Sequence, residues 1–209
     1  MVTAVTFPEL TFEERRHVYK LNGMEIPSVT TIMQPLSSDV YGHIDDKVLD
    51  RAAARGTAVH EAIENFVKFG VEDIPPEHAG YFDAFLKWYE EHHVKPAGTE
   101  IRLYHKSLMY AGTADMAAEV DAADTLIDFK TSSSVQKMLC GVQLEAYERA
   151  WESHTNEAEF KKKVIVHLKK DGNYQMLEFG SGIECWRVFT ALLTVRNYKQ
   201  KFSKGGTKQ

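Results

Sequence analysis

Two rhythms divide this chain. Over 45–69, Leu49, Ala52, Gly56, Val59, Ile63 and Phe66 recur at steps of three and four, which draws one buried stripe along a helix. Gly56 within that stripe costs about 1 kcal/mol relative to alanine, so the pattern predicts a compensating close approach of another backbone. Pro75-Pro76 interrupts the pattern, and 78–93 predicts a second helix. Its Tyr81, Phe82, Phe85, Trp88 and Tyr89 form an aromatic stripe that suits a core better than a base-stacking platform. Nearer the start, 17–26 carries Asn22-Gly23 between short alternating runs, a hairpin signal. Pro27 to Ile32 follows and meets the loop-like run QPLSSD at 34–39. Beyond residue 100 the rhythm changes to strands, expected at 100–108, 112–120 and 125–130 in meander order. A helix is expected over 135–153, then strands at 163–169 and 174–179 around the turn Asp171-Gly172-Asn173. Ser181-x-x-Glu184 reads as a capping box opening a last helix to about Tyr198, before a frayed tail.

This order predicts an α/β fold, a central mixed sheet flanked by helices. The 209 residues fit one domain: hairpin and helices over 1–95, the sheet core over 96–180, a C-terminal helix over 181–201. With 44% hydrophobic and 26% charged residues, the mix is that of an ordinary globular protein. No apolar run is long enough to span a bilayer, and the start reads without a secretory leader. Cys140 and Cys185 are too few for a disulfide framework or a four-cysteine cluster, so a reducing, cytoplasmic setting is expected. The net charge of −5 speaks against a nucleic-acid partner, unless a cation offsets part of the acidity. Lysines gather at 161–163, 169–170 and 199–204, and read first as solvated surface.

The acids have a pattern of their own. Asp115 follows Gly112-Thr113-Ala114 in one expected strand, and Asp128-Phe129-Lys130 ends the next. A tight turn at 121–124 makes Asp115 and Asp128 lateral neighbours, a repulsive pairing that a cation between them would reverse. Asp128 and Lys130, two apart, project together while Phe129 points to the other layer. Two carboxylates with the Phe129 backbone carbonyl are enough protein oxygens for Mg²⁺, and the Lys130 ammonium could hold a water or offset charge on phosphate. A single D-x-K tripeptide is more often a surface ion pair. His60, one turn after Gly56, could complete a metal shell, with Glu64 one turn further on to orient it. Glu100 is weighed equally as a third acid and as an ordinary strand residue. Gln143 and Tyr147 share a helix face that a short connection, Thr131 to Ser134, holds near the acids.

His60, Glu100, Gly112-x-x-Asp115, Asp128-x-Lys130 and Gln143-x-x-x-Tyr147, in that order, resemble the RecB-like exonuclease branch of the PD-(D/E)XK nuclease superfamily. The resemblance covers 56–151 and extends to the IPSVTTI run ahead of the helix over 45–69, which looks like small phage and bacterial members. It implies a restriction-endonuclease-like core and Mg²⁺- or Mn²⁺-dependent cleavage of DNA ends or single strands in recombination, repair or replication. His60, Asp115, Asp128 and the Phe129 carbonyl would hold the metal. Asp115, Asp128, Lys130 and Glu100 would carry catalysis. Gln143, Tyr147, Arg55, Thr131, Ser132 and Ser133 would meet DNA. Some relatives carry an iron–sulfur cluster, which two cysteines cannot build. No G-x-x-x-x-G-K-[ST] run is present, so any helicase or recombination partner would be a separate chain. The setting implied is the cytoplasm of a bacterium or phage-infected host. A structure-specific endonuclease or nickase, and an inactive nucleic-acid- or protein-binding module, remain the alternatives.

Overall fold

A computed structural model describes residues 6–155, 160–180 and 182–203. A small antiparallel sheet of β1 (Leu10–Glu13), β2 (Val18–Leu21) and β3 (Met24–Ile26) comes first. Asn22 and Gly23 take φ of 49° and 81°, the left-handed pair that a two-residue hairpin needs. The Ser28 hydroxyl then accepts the Thr31 N–H and caps α1 (Val29–Tyr41). This helix runs through 34–39, which the sequence reads as loop. Val29, Ile32 and Met33, with Leu36 and Val40, keep a helical apolar spacing across Pro35. Pro35 itself is exposed, so the carbonyl it leaves unbonded, on exposed Thr31, can meet water.

Helix α2 (Asp46–Phe69) starts on Asp45, whose carboxylate accepts the Lys47 N–H, and stops at Gly70 in the left-handed region. Its burial concentrates at Val59, Ala62 and Ile63. The backbone expected against Gly56 is not there: a Cβ at that position would meet nothing within 4 Å. Helix α3 (Ala79–Glu91) packs its aromatic stripe against α2, with Phe66 ringed by Phe82, Phe85 and Tyr89.

The main sheet has the order β4-β5-β6-β7-β8, formed by β4 (Lys95–Tyr104), β5 (Ala111–Val120), β6 (Ala123–Lys130), β7 (Lys162–Leu168) and β8 (Tyr174–Phe179). All neighbours are antiparallel except β6 and β7, which are parallel and joined through α4 (Lys137–Thr155). The mixed sheet expected from the sequence is therefore present. β4 begins five residues before Glu100, the start expected from the sequence, and carries a bulge at Pro96–Gly98. Asp121 and Ala122, both at positive φ, close the β5–β6 hairpin.

Two apolar cores lie on the two faces of this sheet. Residues of α2 and α3 cover one, with Met116, Ile127, Phe129 and Val166 beneath them. Residues of α1, α4 and α5 (Ile183–Ser203) cover the other, over Leu103, Leu126 and Ile165. Ser181 of the expected capping box and the tail from 204 lie outside the described residues. One lysine read as solvated is not: Lys163 is 7% exposed on β7. Its ammonium lies 2.5 Å from Glu145 and also contacts Glu148, both on α4. The acids on the crossover helix draw it inward. No helix among the described residues is long and apolar enough to cross a membrane.

Candidate active site and metal centre

Asp115 stands where hydrogen bonding lapses on both sides of β5. Toward β4 the pairs Thr99↔Met116 and Ile101↔Ala114 leave Glu100 opposite Asp115. Glu100 holds φ at 48°, a left-handed conformation that costs a non-glycine residue about 1–3 kcal/mol and clusters at functional positions. Toward β6 the ladder ends at Met116↔Ile127. The next N–H, that of Phe129, donates instead to Asp115 Oδ2 at 2.7 Å. β6 meanwhile stays paired to β7 as far as Lys130↔His167. Glu100 and Asp115 thereby lie side by side at a local break in the pairing.

His60 reaches this place from α2. Its Nε2 lies 3.2 Å from the Phe129 carbonyl. A carbonyl only accepts, so Nε2 carries the hydrogen and Nδ1 faces the acids. Nδ1 is 3.5 Å from Asp115 Oδ1 and 3.8 Å from Glu100 Oε1. Glu64, expected to orient the ring, pairs with Lys68 on its own helix instead. The Phe129 carbonyl, expected as a metal ligand, accepts from His60 Nε2 and holds the ring with Nδ1 toward the acids.

The electrostatics are those of a crowded acidic pocket. Burial, then the charge of Asp128, pushes Asp115 up to about 7. Burial alone would pull His60 down, but Asp115, Glu100 and Asp128 outweigh it and raise it to about 9. Burial likewise works against the Lys130 ammonium, and Asp128 and Asp115 again prevail, lifting it above the ordinary lysine value. Lys130 is thus a fixed cation and not a base near neutrality. Asp128 is 1% exposed. Its Oδ2 lies 2.6 Å from Lys130 Nζ, an ion pair at close range, yet has no partner in hydrogen-bonding geometry.

A divalent cation fits this donor set. Ligand atoms of His60, Glu100 and Asp115 all lie within 4.8 Å of one another. One imidazole nitrogen with carboxylate oxygens suits Mn²⁺ well and Mg²⁺ through its oxygens. Asp128 is not in that group of three; Lys130 holds it from the other side.

Lys130 Nζ also donates to Gln143 Oε1 at 3.1 Å, and Gln143 Nε2 donates to the Tyr147 hydroxyl at 3.0 Å. The helix face expected near the acids is there. Tyr147, however, does not offer its ring to a nucleotide. It is 4% exposed and packs on Gly112, where a Cβ would stand 2.5 Å from its Cε1. Thr131 is similarly buried and accepts from Arg55 Nε at 3.4 Å, while the Arg55 guanidinium lies over the Tyr81 ring. Tyr147 and Thr131 are thus engaged within the fold. Ser132 is half-buried, its hydroxyl donating to the Ser134 carbonyl, and Ser133 is exposed.

Sequence reasoning missed two supports. His167 Nε2 lies 2.6 Å from the Ser132 carbonyl and pins the segment after Lys130. The Tyr19 hydroxyl meets Thr113 Oγ1 at 2.7 Å and ties the small sheet to β5. Both pairings are long-range and leave no local signature. A cleft of about 680 Å³ leads to Glu100 past Lys68, Arg102 and Phe12. A narrower one of about 250 Å³ opens on the side of Lys130 and Gln143.

Comparison with protein-family models gives no match, and neither does comparison with curated protein sequences. Among solved structures, the chain is similar to an alkaline exonuclease, LHK-Exo, from Laribacter hongkongensis, at 12% identity and TM-score 0.43, covering 73% of this chain and 90% of that one. It is also similar to LHK-Exo in complex with dAMP, at 12% identity and TM-score 0.33, covering 73% and 92%. Superposition at this level carries no functional assignment; the residues must do so.

Proposed function

We propose that the protein is a divalent-metal-dependent deoxyribonuclease that hydrolyses phosphodiester bonds, acting as an exonuclease on DNA ends or single strands. One observation carries this reading: an imidazole Nδ1 and two carboxylates converge where the β5–β6 ladder ends beside Asp115, with an ammonium paired to a further buried acid beside them. An ordinary surface ion pair explains Lys130 and Asp128 but not the left-handed backbone of Glu100 or the burial of Asp128.

His60, Glu100 and Asp115 would hold the ion, with Asp128 facing the same space. A bound Mg²⁺ or Mn²⁺ supplies Lewis-acid polarisation of phosphate and a lowered pKa for water. The chain's own groups do the rest. Phe129 N–H and its carbonyl lock Asp115 and His60 in orientation. Lys130, kept protonated by Asp128, donates to a phosphate oxygen or an attacking water and offsets charge that builds in the transition state. Gln143 fixes the direction of that ammonium.

End-labelled single- and double-stranded DNA, incubated with Mg²⁺ or Mn²⁺ and read from both ends, tests the reading. Asp115→Asn, Asp128→Ala and Lys130→Ala should each lower cleavage by about 10²-fold or more. Cleavage that survives all three changes defeats it. Circular DNA separates an end-dependent enzyme from a nickase.

A further inference from the structure

The narrow cleft beside Lys130 is unlike the broad one at Glu100. Tyr41, Val135 and Leu139 give it apolar walls, and Lys130 and Gln143 line it as well. At about 250 Å³ it is smaller than the roughly 300–1,000 Å³ of pockets for drug-sized ligands. It therefore has room for one flat ring system and not for a strand. A ligand suited to it is apolar on its faces, polar at its edges and anionic at one end. Ser37 on α1 and Ser132 are among its lining residues; their hydroxyls donate to the Gln34 and Ser134 carbonyls and keep lone pairs that can accept at a ring edge.

We infer that this cleft is a binding site for a single nucleobase, which it holds while the attached phosphate lies at Lys130. The inference rests on the nuclease reading for its context and adds to it a subsite and a substrate form. A base can enter only when it is unpaired, so the cleft selects a frayed end or a single strand over the interior of a duplex. It takes a base without reading its identity, because apolar walls contact the faces that all bases share.

Thymidine 5′-monophosphate and 2-deoxyribose 5-phosphate differ by the base alone. Their affinities for the full chain, measured by calorimetry with Ca²⁺ present, read the base contribution directly. The nucleotide should bind about 10-fold or more tightly than the sugar phosphate, the scale of one stacked base. Ser37→Trp, which fills the cleft from its half-buried rim, should remove that difference and leave sugar phosphate affinity unchanged. Tyr41→Leu, a smaller change, should reduce it about 5-fold. Equal affinities for the two ligands in the unaltered protein overturn the inference, as does a preference that both variants retain. Labelled DNA keeps the two readings apart. Base-dependent binding without cleavage would leave this site standing and remove the nuclease reading; cleavage with no base-dependent binding would do the reverse.

Discussion

Glu100 illustrates a residue whose backbone and side chain have different requirements. Its left-handed φ suits glycine, whereas its carboxylate belongs to the cluster of possible metal ligands. Glu100→Gly should leave stability unchanged or raise it by about 1 kcal/mol, while DNA cleavage falls by about 100-fold or more. Urea denaturation beside a cleavage assay reads both, and a variant both active and unstable would contradict the assignment. Gln143 acts through Lys130. Gln143→Leu should lower kcat by about 10–100-fold with little change in KM, checked by steady-state kinetics on a labelled oligonucleotide. The residues differ in how far sequence alone exposes them. Asp128 and Lys130 are legible because a two-residue step in a strand fixes their common side. The strain at Glu100 is not, since glutamate carries no signature of positive φ. Nor is the burial of Tyr147, which depends on Gly112 from a strand 35 positions away in register with β4.

Among the elements, long periodic stretches declare themselves and interrupted ones do not. The helix over 45–69 and the two-residue hairpin turns are local facts, and they read correctly. The 34–39 run misleads: it reads as loop but lies inside α1, Pro35 included. There tertiary packing overrides the local preference of the chain. The crossover helix α4 depends on a contact equally hidden from sequence, the buried Lys163 between Glu145 and Glu148. Lys163→Ala should cost about 3–5 kcal/mol, because it strands two carboxylates in the interior. Exposed Lys161→Ala should stay within about 0.5 kcal/mol. Denaturant midpoints at equal slope settle the comparison.

For the molecule as a whole, the acidity that argues against a nucleic-acid partner is partly gathered at one point. If His60, Glu100 and Asp115 hold an ion, binding at about 100 times its Kd adds roughly 2.7 kcal/mol to stability. For a chain of this size that raises Tm by roughly 5–10 °C. Thermal melts with MnCl₂ and with EDTA should show the rise in the unaltered protein and its loss in Asp115→Asn. An equal rise in both would mean that Mn²⁺ binds elsewhere. The two helical layers and the mixed sheet follow from alternating patterns, whereas the meeting of α2 with the released end of β5 is a property of the assembled fold.

The β5–β6 hairpin works as a pincer. Its pivot is the tight turn at Asp121-Ala122, and its tips carry Asp115 and Asp128. Each tip is splinted on its outer flank, one by β4 and the other by β7. The gap between the jaws is set by the rung beside it, Met116↔Ile127, and by the Phe129 N–H on Asp115, and not by the pivot, so extra residues at the turn leave it unaltered, whereas a single residue inserted between Asp128 and Lys130 would throw the jaw out of line.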